Sequence, residues 1–122
     1  MAAVAPPLPS RYLEYAKHNT RMSEAAMRFI LSIGFTEQGI RTIKDAPKRV
    51  KGARELAKKL GVEIKELYLT TGEHDLLAIV DAASGDNVAK FVLALAARGN
   101  VRTRMSRAWS EAEYMKLIAE LP

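Results

Sequence analysis

From Met27 the chain alternates between two kinds of position. Met27, Phe29, Leu31, Ile33 and Phe35 share one parity, and Arg28, Ile30, Ser32 and Gly34 share the other. A period of two with one strongly apolar side predicts a β-strand that buries that side. Residues 36–61 change period. Ile40, Ile43, Val50, Ala57 and Leu60 recur at helical spacing, Thr36 stands where an N-cap belongs, and Gly61 supplies a stop. Pro47 has no N–H to give the Ile43 carbonyl, which predicts a kink or a helix in two pieces.

Residues 62–71 and 74–82 read as two strands of a hairpin turning at Gly72 and Glu73. In the first of these the apolar parity switches from Val62 and Ile64 to Leu67 and Leu69, so a bulge is expected near Glu66. Val88, Phe91, Val92 and Leu95 form the stripe of a second helix that ends at Gly99. Residues 100–109 are a fourth strand. Ser110 and Glu113 then stand at capping-box spacing ahead of Tyr114, Leu117, Ile118 and Leu121 on one side of a terminal helix.

Strand–helix–strand–strand–helix–strand plus a terminal helix is the α+β, ferredoxin-like βαββαβ order. Right-handed crossovers put the first and third strands in the middle of a four-stranded antiparallel sheet, with both helices on one face. The third strand is apolar on both sides, with Leu76, Ala78 and Val80 on one and Leu77 and Ile79 on the other. Such a strand wants both faces covered. A second subunit is the expected cover, in a homodimer or larger assembly whose sheets meet around a cleft. The N-terminal arm or the terminal helix is the alternative.

Residues 1–26 carry three prolines in the first nine positions and no sustained period, and read as an arm ahead of a single domain over 27–122. The arm lacks the continuous apolar core of a secretory signal, and Glu14 and Glu24 oppose a transit peptide. Met22 and Met27 are alternative starts, and Tyr12 and His18 receive no role.

Composition narrows the chemistry. The 122 residues are 48% hydrophobic and 27% charged, an ordinary globular balance for one domain. No apolar run nears the roughly 18 residues a membrane span requires, so a soluble, cytoplasmic protein is expected. The absence of cysteine removes disulfides, thiolate metal sites and cysteine nucleophiles. A net charge of +5 permits an anionic partner, but an excess of this size is ordinary solubility and nucleic acid is not expected. Arg41, Lys44, Lys48 and Lys51 share a helical side with Asp45 and Glu55 between them, the pattern of a solvated face.

His74 and Asp75 lie side by side in "GEHD" and invite reading as a catalytic pair. Neighbours in a strand point to opposite faces, so within a strand they cannot cooperate. In a turn, Asp75 is expected to accept backbone N–H groups and Gly72 to make the turn. With two histidines in unrelated segments no metal is expected, and no phosphate loop or dinucleotide motif implies a cofactor. Arg102, Arg104 and Ser106 share the parity away from the helices, as do Arg28 and Ser32. Guanidinium groups so placed suit carboxylate or phosphate. Equally, they serve as edge-strand charges or as partners for Asp81 and Glu66 across a dimer.

The segments "TEQGIR", "KDAPKR", "LYLTTGEHD" and "GNVRT", in that order, resemble the GYD-domain family, small prokaryotic proteins of largely unknown function, over residues 27–117. The resemblance implies a ferredoxin-like fold of the dimeric α+β barrel type and no catalytic assignment. The family's namesake tyrosine corresponds to His74, while Gly72 and Asp75 are kept. "TTGEHDLLAIVDA" and "GNVRTRMS" are also similar, more distantly, to the effector-sensing domain of leucine-responsive transcription regulators. There a Gly-x-x-Asp hairpin lines small-molecule sites between subunits. The expectation is therefore a homo-oligomeric module binding a small, anionic or amphipathic metabolite at the subunit cleft. Arg28, Ser32, Arg102 and Arg104 would grip it, with Tyr68 and His74 or Asp75 at the rim. A cofactor-free isomerase or monooxygenase with His74 as general base, and an assembly protein without ligand, are the alternatives.

Overall fold

The alternation that begins at Met27 becomes β1, Met27–Phe35, and the inward parity buries Phe29, Leu31 and Ile33. The computed structural model describes residues 26–122, so the expectations for the arm fall outside the described residues. A helical segment in two pieces follows: α1, Glu37–Arg41, a 3-10 turn at Ile43–Asp45, then α2, Ala46–Lys59. Pro47 sits in the first turn of α2, where a missing N–H breaks no helical bond, so it starts the second piece. The chain continues as β2, Val62–Leu69, β3, Leu76–Ala82, α3, Gly85–Ala97, β4, Val101–Ala108, and α4, Glu111–Ala119.

The sheet order is β2-β3-β1-β4, antiparallel throughout, with β1 and β3 central. The α+β, ferredoxin-like arrangement is as read from the strand order. Between sheet and helices the core gathers Phe29, Leu31, Ile33, Ala78, Val80 and Ala82 against Ala57, Val88 and Phe91. Phe91, Leu31, Val80 and Val88 are fully enclosed, each contributing about 1.5–3 kcal/mol by leaving water.

β1 and β4 are tied at the end where α1 begins. Thr36 caps α1 by accepting from the Gly39 N–H at 3.0 Å. Its own N–H donates to the Asn100 carbonyl at 3.1 Å, and its hydroxyl donates to the Gly99 carbonyl at 2.6 Å. Gly39 presses on the same turn, where an added Cβ would lie 2.0 Å from the Asn100 oxygen. Only glycine fits there.

The bulge lies where the parity switch puts it. Ile64 pairs with Val80, but Glu66 pairs with Ile79, leaving Lys65 as the additional residue. Leu67 and Leu69 thereby rejoin the helix side, while Glu66 and Tyr68 face away.

The expected two-residue hairpin is replaced by a six-residue connection, residues 70–75. Ladder pairing stops at Leu69 with Leu76, and Asp75, just beyond it, is bonded to β1. Its N–H donates to the Ile33 carbonyl at 3.0 Å, and its carboxylate accepts from the Phe35 N–H at 2.8 Å. The Thr70 N–H and hydroxyl close the loop onto the carbonyls of Asp75 and His74. Gly72 lies at the loop's tip without a left-handed φ, and a Cβ there meets nothing.

α4 carries the complete capping box, with Ser110 and Glu113 exchanging bonds of 2.9 and 3.1 Å. Each of its residues is exposed, and Tyr114, Leu117 and Ile118 remain about half accessible at 53%, 45% and 48%. The terminal helix therefore does not bury its apolar stripe against the sheet.

Candidate functional site

On the face away from the helices, the register arranges side chains in rows across all four strands. One row runs Arg104, Ser32, Leu77, Tyr68, and the next runs Ser106, Ile30, Ile79, Glu66. A third holds Arg28 opposite Asp81, and at the other end Arg102 stands opposite Gly34. The apolar centre of Ile30, Leu77 and Ile79 is half-buried, with Arg104 exposed at one edge and Tyr68 at the other.

The expected ligand-gripping residues part company here. Arg28 is committed within its own chain, donating from Nε and Nη2 to the two Asp81 carboxylate oxygens at 2.9 and 3.1 Å. Asp81 is thus no partner held in reserve for a second subunit. The Tyr68 hydroxyl donates to Glu66 at 2.5 Å. That bond, then the Glu66 charge, holds its pKa above the ordinary tyrosine range. Asp75 supports the end of β1, its carboxylate 3.8 Å from where a Cβ on Gly34 would sit. Arg102 and Arg104 are exposed and form no ion pair among the described residues.

His74 and Asp75 do not form a dyad. Both lie in the connection, the Asp75 carboxylate faces the Phe35 N–H, and no hydrogen bond joins the two side chains. Among the described residues no three metal-type side chains converge.

The helix side holds a feature that sequence reasoning missed. An apolar cavity of about 530 Å³ lies between the sheet and the helices, at the end where β1 leads into α1. Phe35, Ile43, Val50, Leu67, Phe91 and Leu95 line it, with Arg49, Arg98 and Asn100 as its polar members. Ile40 and Ile43, which recur at helical spacing, and Leu69 of β2 line it while 49%, 39% and 72% exposed.

The GYD domain model covers residues 29–118. The chain belongs to the GYD domain family. A relative from Thermus thermophilus, described as a glutamine synthetase and cystathionine beta-lyase binding protein, is 34% identical over 94 residues. That alignment spans 76% of this chain and 96% of the relative. Among solved structures, the leucine response regulatory protein of Mycobacterium tuberculosis aligns with 90% of this chain at a TM-score of 0.46 and 14% identity. The chain spans 62% of that protein's length. Across the GYD domain match, no helix among the described residues is long and apolar enough to cross a membrane.

Proposed function

We propose that this GYD protein is a non-catalytic, self-associating module that binds metabolic enzymes. The observation that carries the reading is the open sheet face, where Ile30, Leu77 and Ile79 form an apolar centre between Arg104 and Tyr68. An apolar middle with arginine and aromatic side chains around it is the anatomy of a protein interface. The Thermus relative is described as binding two enzymes, which supports proteins as the partners here. On this reading two open faces meet in a homodimer, the dimer presents the enzyme-binding surface, and the location is the cytoplasm. His74 has no carboxylate to orient its ring among the described residues, so general-base chemistry is not part of the proposal.

The test uses the whole chain against glutamine synthetase and cystathionine beta-lyase from its own organism. Analytical ultracentrifugation should give a multiple of 13.5 kDa, and at least one enzyme should shift the boundary. Ile79→Lys should return the chain to a monomer with its circular dichroism unchanged. A wild-type monomer that binds neither enzyme refutes the reading.

A second reading adds a small anionic metabolite in the cleft between facing sheets, held by Ser32, Arg102 and Arg104 with Tyr68, His74 or Asp75 at its rim. What favours it is that neither arginine is neutralised within the described residues. A thermal-shift screen of carboxylates and phosphates, repeated on Arg102→Ala plus Arg104→Ala, decides it. Stabilisation confined to the wild type is expected, and none, or stabilisation that survives the double change, ends it.

A further inference from the structure

The open face leaves the cavity on the helix side unexplained. At about 530 Å³ it falls within the roughly 300–1,000 Å³ of small-molecule sites. It opens to solvent at its rim, where Ile40, Ile43 and Leu69 are exposed, so apolar lining is left in contact with water. Its depth is apolar, reaching Val80 and Phe91.

The cavity's polar members divide into a structural group and a free one. Arg49 is consumed locally, donating to the Thr42 carbonyl and hydroxyl at 3.1 and 2.8 Å and to the Gly39 carbonyl at 3.0 Å. Those three bonds fasten α1 and the 3-10 turn to α2. Asn100 accepts from Gln38 at 3.0 Å through its side-chain oxygen. Arg98, at the end of α3, is different. Its Nη1 lies 3.4 Å from where a Cβ on Gly52 would stand, so the guanidinium extends from α3 towards α2 at the cavity's edge. It is exposed and has neither ion pair nor side-chain hydrogen bond among the described residues. The acid of α1, Glu37, is paired with Arg41 at 2.9 Å.

We propose that the cavity binds one amphipathic carboxylate, its aliphatic chain lying along Leu67, Phe91 and Leu95 and its carboxylate held at the mouth by Arg98. The two ends of such a ligand match the two chemistries of the site. An unbranched chain takes that apolar lining out of water, and a guanidinium suits a carboxylate by geometry and charge. The proposal is independent of the enzyme-binding reading, since it uses the opposite face of the sheet.

Dodecanoate, dodecanol and dodecylamine, each below its micelle concentration, would be titrated into the whole protein by calorimetry and followed by methyl NMR. Dodecanoate is expected to bind at one per chain and to shift the methyls of Ile43, Leu67 and Leu95. Arg98→Gln should weaken dodecanoate about tenfold, the scale of one charge-assisted hydrogen bond, and leave dodecanol unaffected. Ala53→Phe should fill the cavity and abolish binding of both. If Ala53→Phe fails to fold, the methyl shifts of the wild type still locate the ligand. The proposal is overturned if dodecanoate does not bind, or binds no better than dodecylamine. It is equally overturned if the shifts fall on Leu77 and Ile79 instead. Dissociation of an oligomer on filling the cavity would show that a neighbouring chain occupies it, with the same result.

Discussion

The Arg28 guanidinium and the Asp81 carboxylate meet face on from directly opposed positions of β1 and β3, joined by bonds of 2.9 and 3.1 Å. The carboxylate belongs to a residue only 9% exposed, while the arginine side chain is 47% accessible. The cost of separating them therefore falls on the aspartate. Arg28→Ala is expected to lower unfolding free energy at neutral pH by about 1.5–3 kcal/mol, because it strands a carboxylate with little access to water. Urea unfolding of Arg28→Ala and of Arg28→Met with Asp81→Leu tests the origin of the loss. The double change should recover most of it.

Asp75→Ala removes the acceptor for the Phe35 N–H at the end of β1. A loss of about 1–3 kcal/mol is expected, with Asp75→Asn milder because an amide oxygen can still accept. Denaturant midpoints of the two variants give the comparison. Equal losses would show that charge, and not the hydrogen bond, matters at this position.

Two glycines should respond in opposite directions. Gly39→Ala places a methyl within 2.0 Å of the Asn100 carbonyl oxygen and must push α1 away from β4. The expected cost is about 1–3 kcal/mol or more, with loss of exchange protection at Thr36 and Gly39. Gly72→Ala meets open space at a φ outside the left-handed region, and should be neutral or raise stability by about 0.4–1 kcal/mol.

α4 should be sensitive to acid. The backbone N–H of Ser110, above all, with the side chains of Ser110 and Arg107 adding to it, holds the Glu113 pKa below the ordinary glutamate value. A lowered folded pKa gives a contribution fully present above the unfolded value and lost as pH falls through the folded one. The protection of the Tyr114 amide, its exchange rate divided into the intrinsic rate at each pH, should thus fall on acidification through that window. Glu113→Gln, which can still accept from Ser110, should remove the pH dependence. Ser110→Ala should fray the helix at all pH values by about 1 kcal/mol.

What could be read in advance was local. The two-residue period of β1, the parity switch at Glu66, the break at Pro47 and the Ser110–Glu113 box each depend on residues close together in sequence. The connection between β2 and β3 was read as too short, and the bond by which Asp75 braces the end of β1 joins residues forty apart in sequence. Arg28 and Asp81 were placed on the outward face, but their pairing in one chain needed the register. The cavity had no signature at all. Ile40 and Ile43 carry the spacing of core residues, and whether they close over a space depends on how α2 and α3 sit on the sheet.

Lys65, the additional residue of the bulge, is dispensable to the two faces of β2. Removing it would leave a regular ladder in the same pairs, Glu66 with Ile79 and Leu67 with Ala78, and so keep Leu67 and Leu69 on the helix side and Glu66 and Tyr68 on the open face. Substitutions can retune either surface alone. The loss of this one codon would straighten β2 and leave both surfaces their own residues, so in the descent of such chains a deletion at Lys65 carries less functional weight than a point change at Leu67 or Tyr68 beside it.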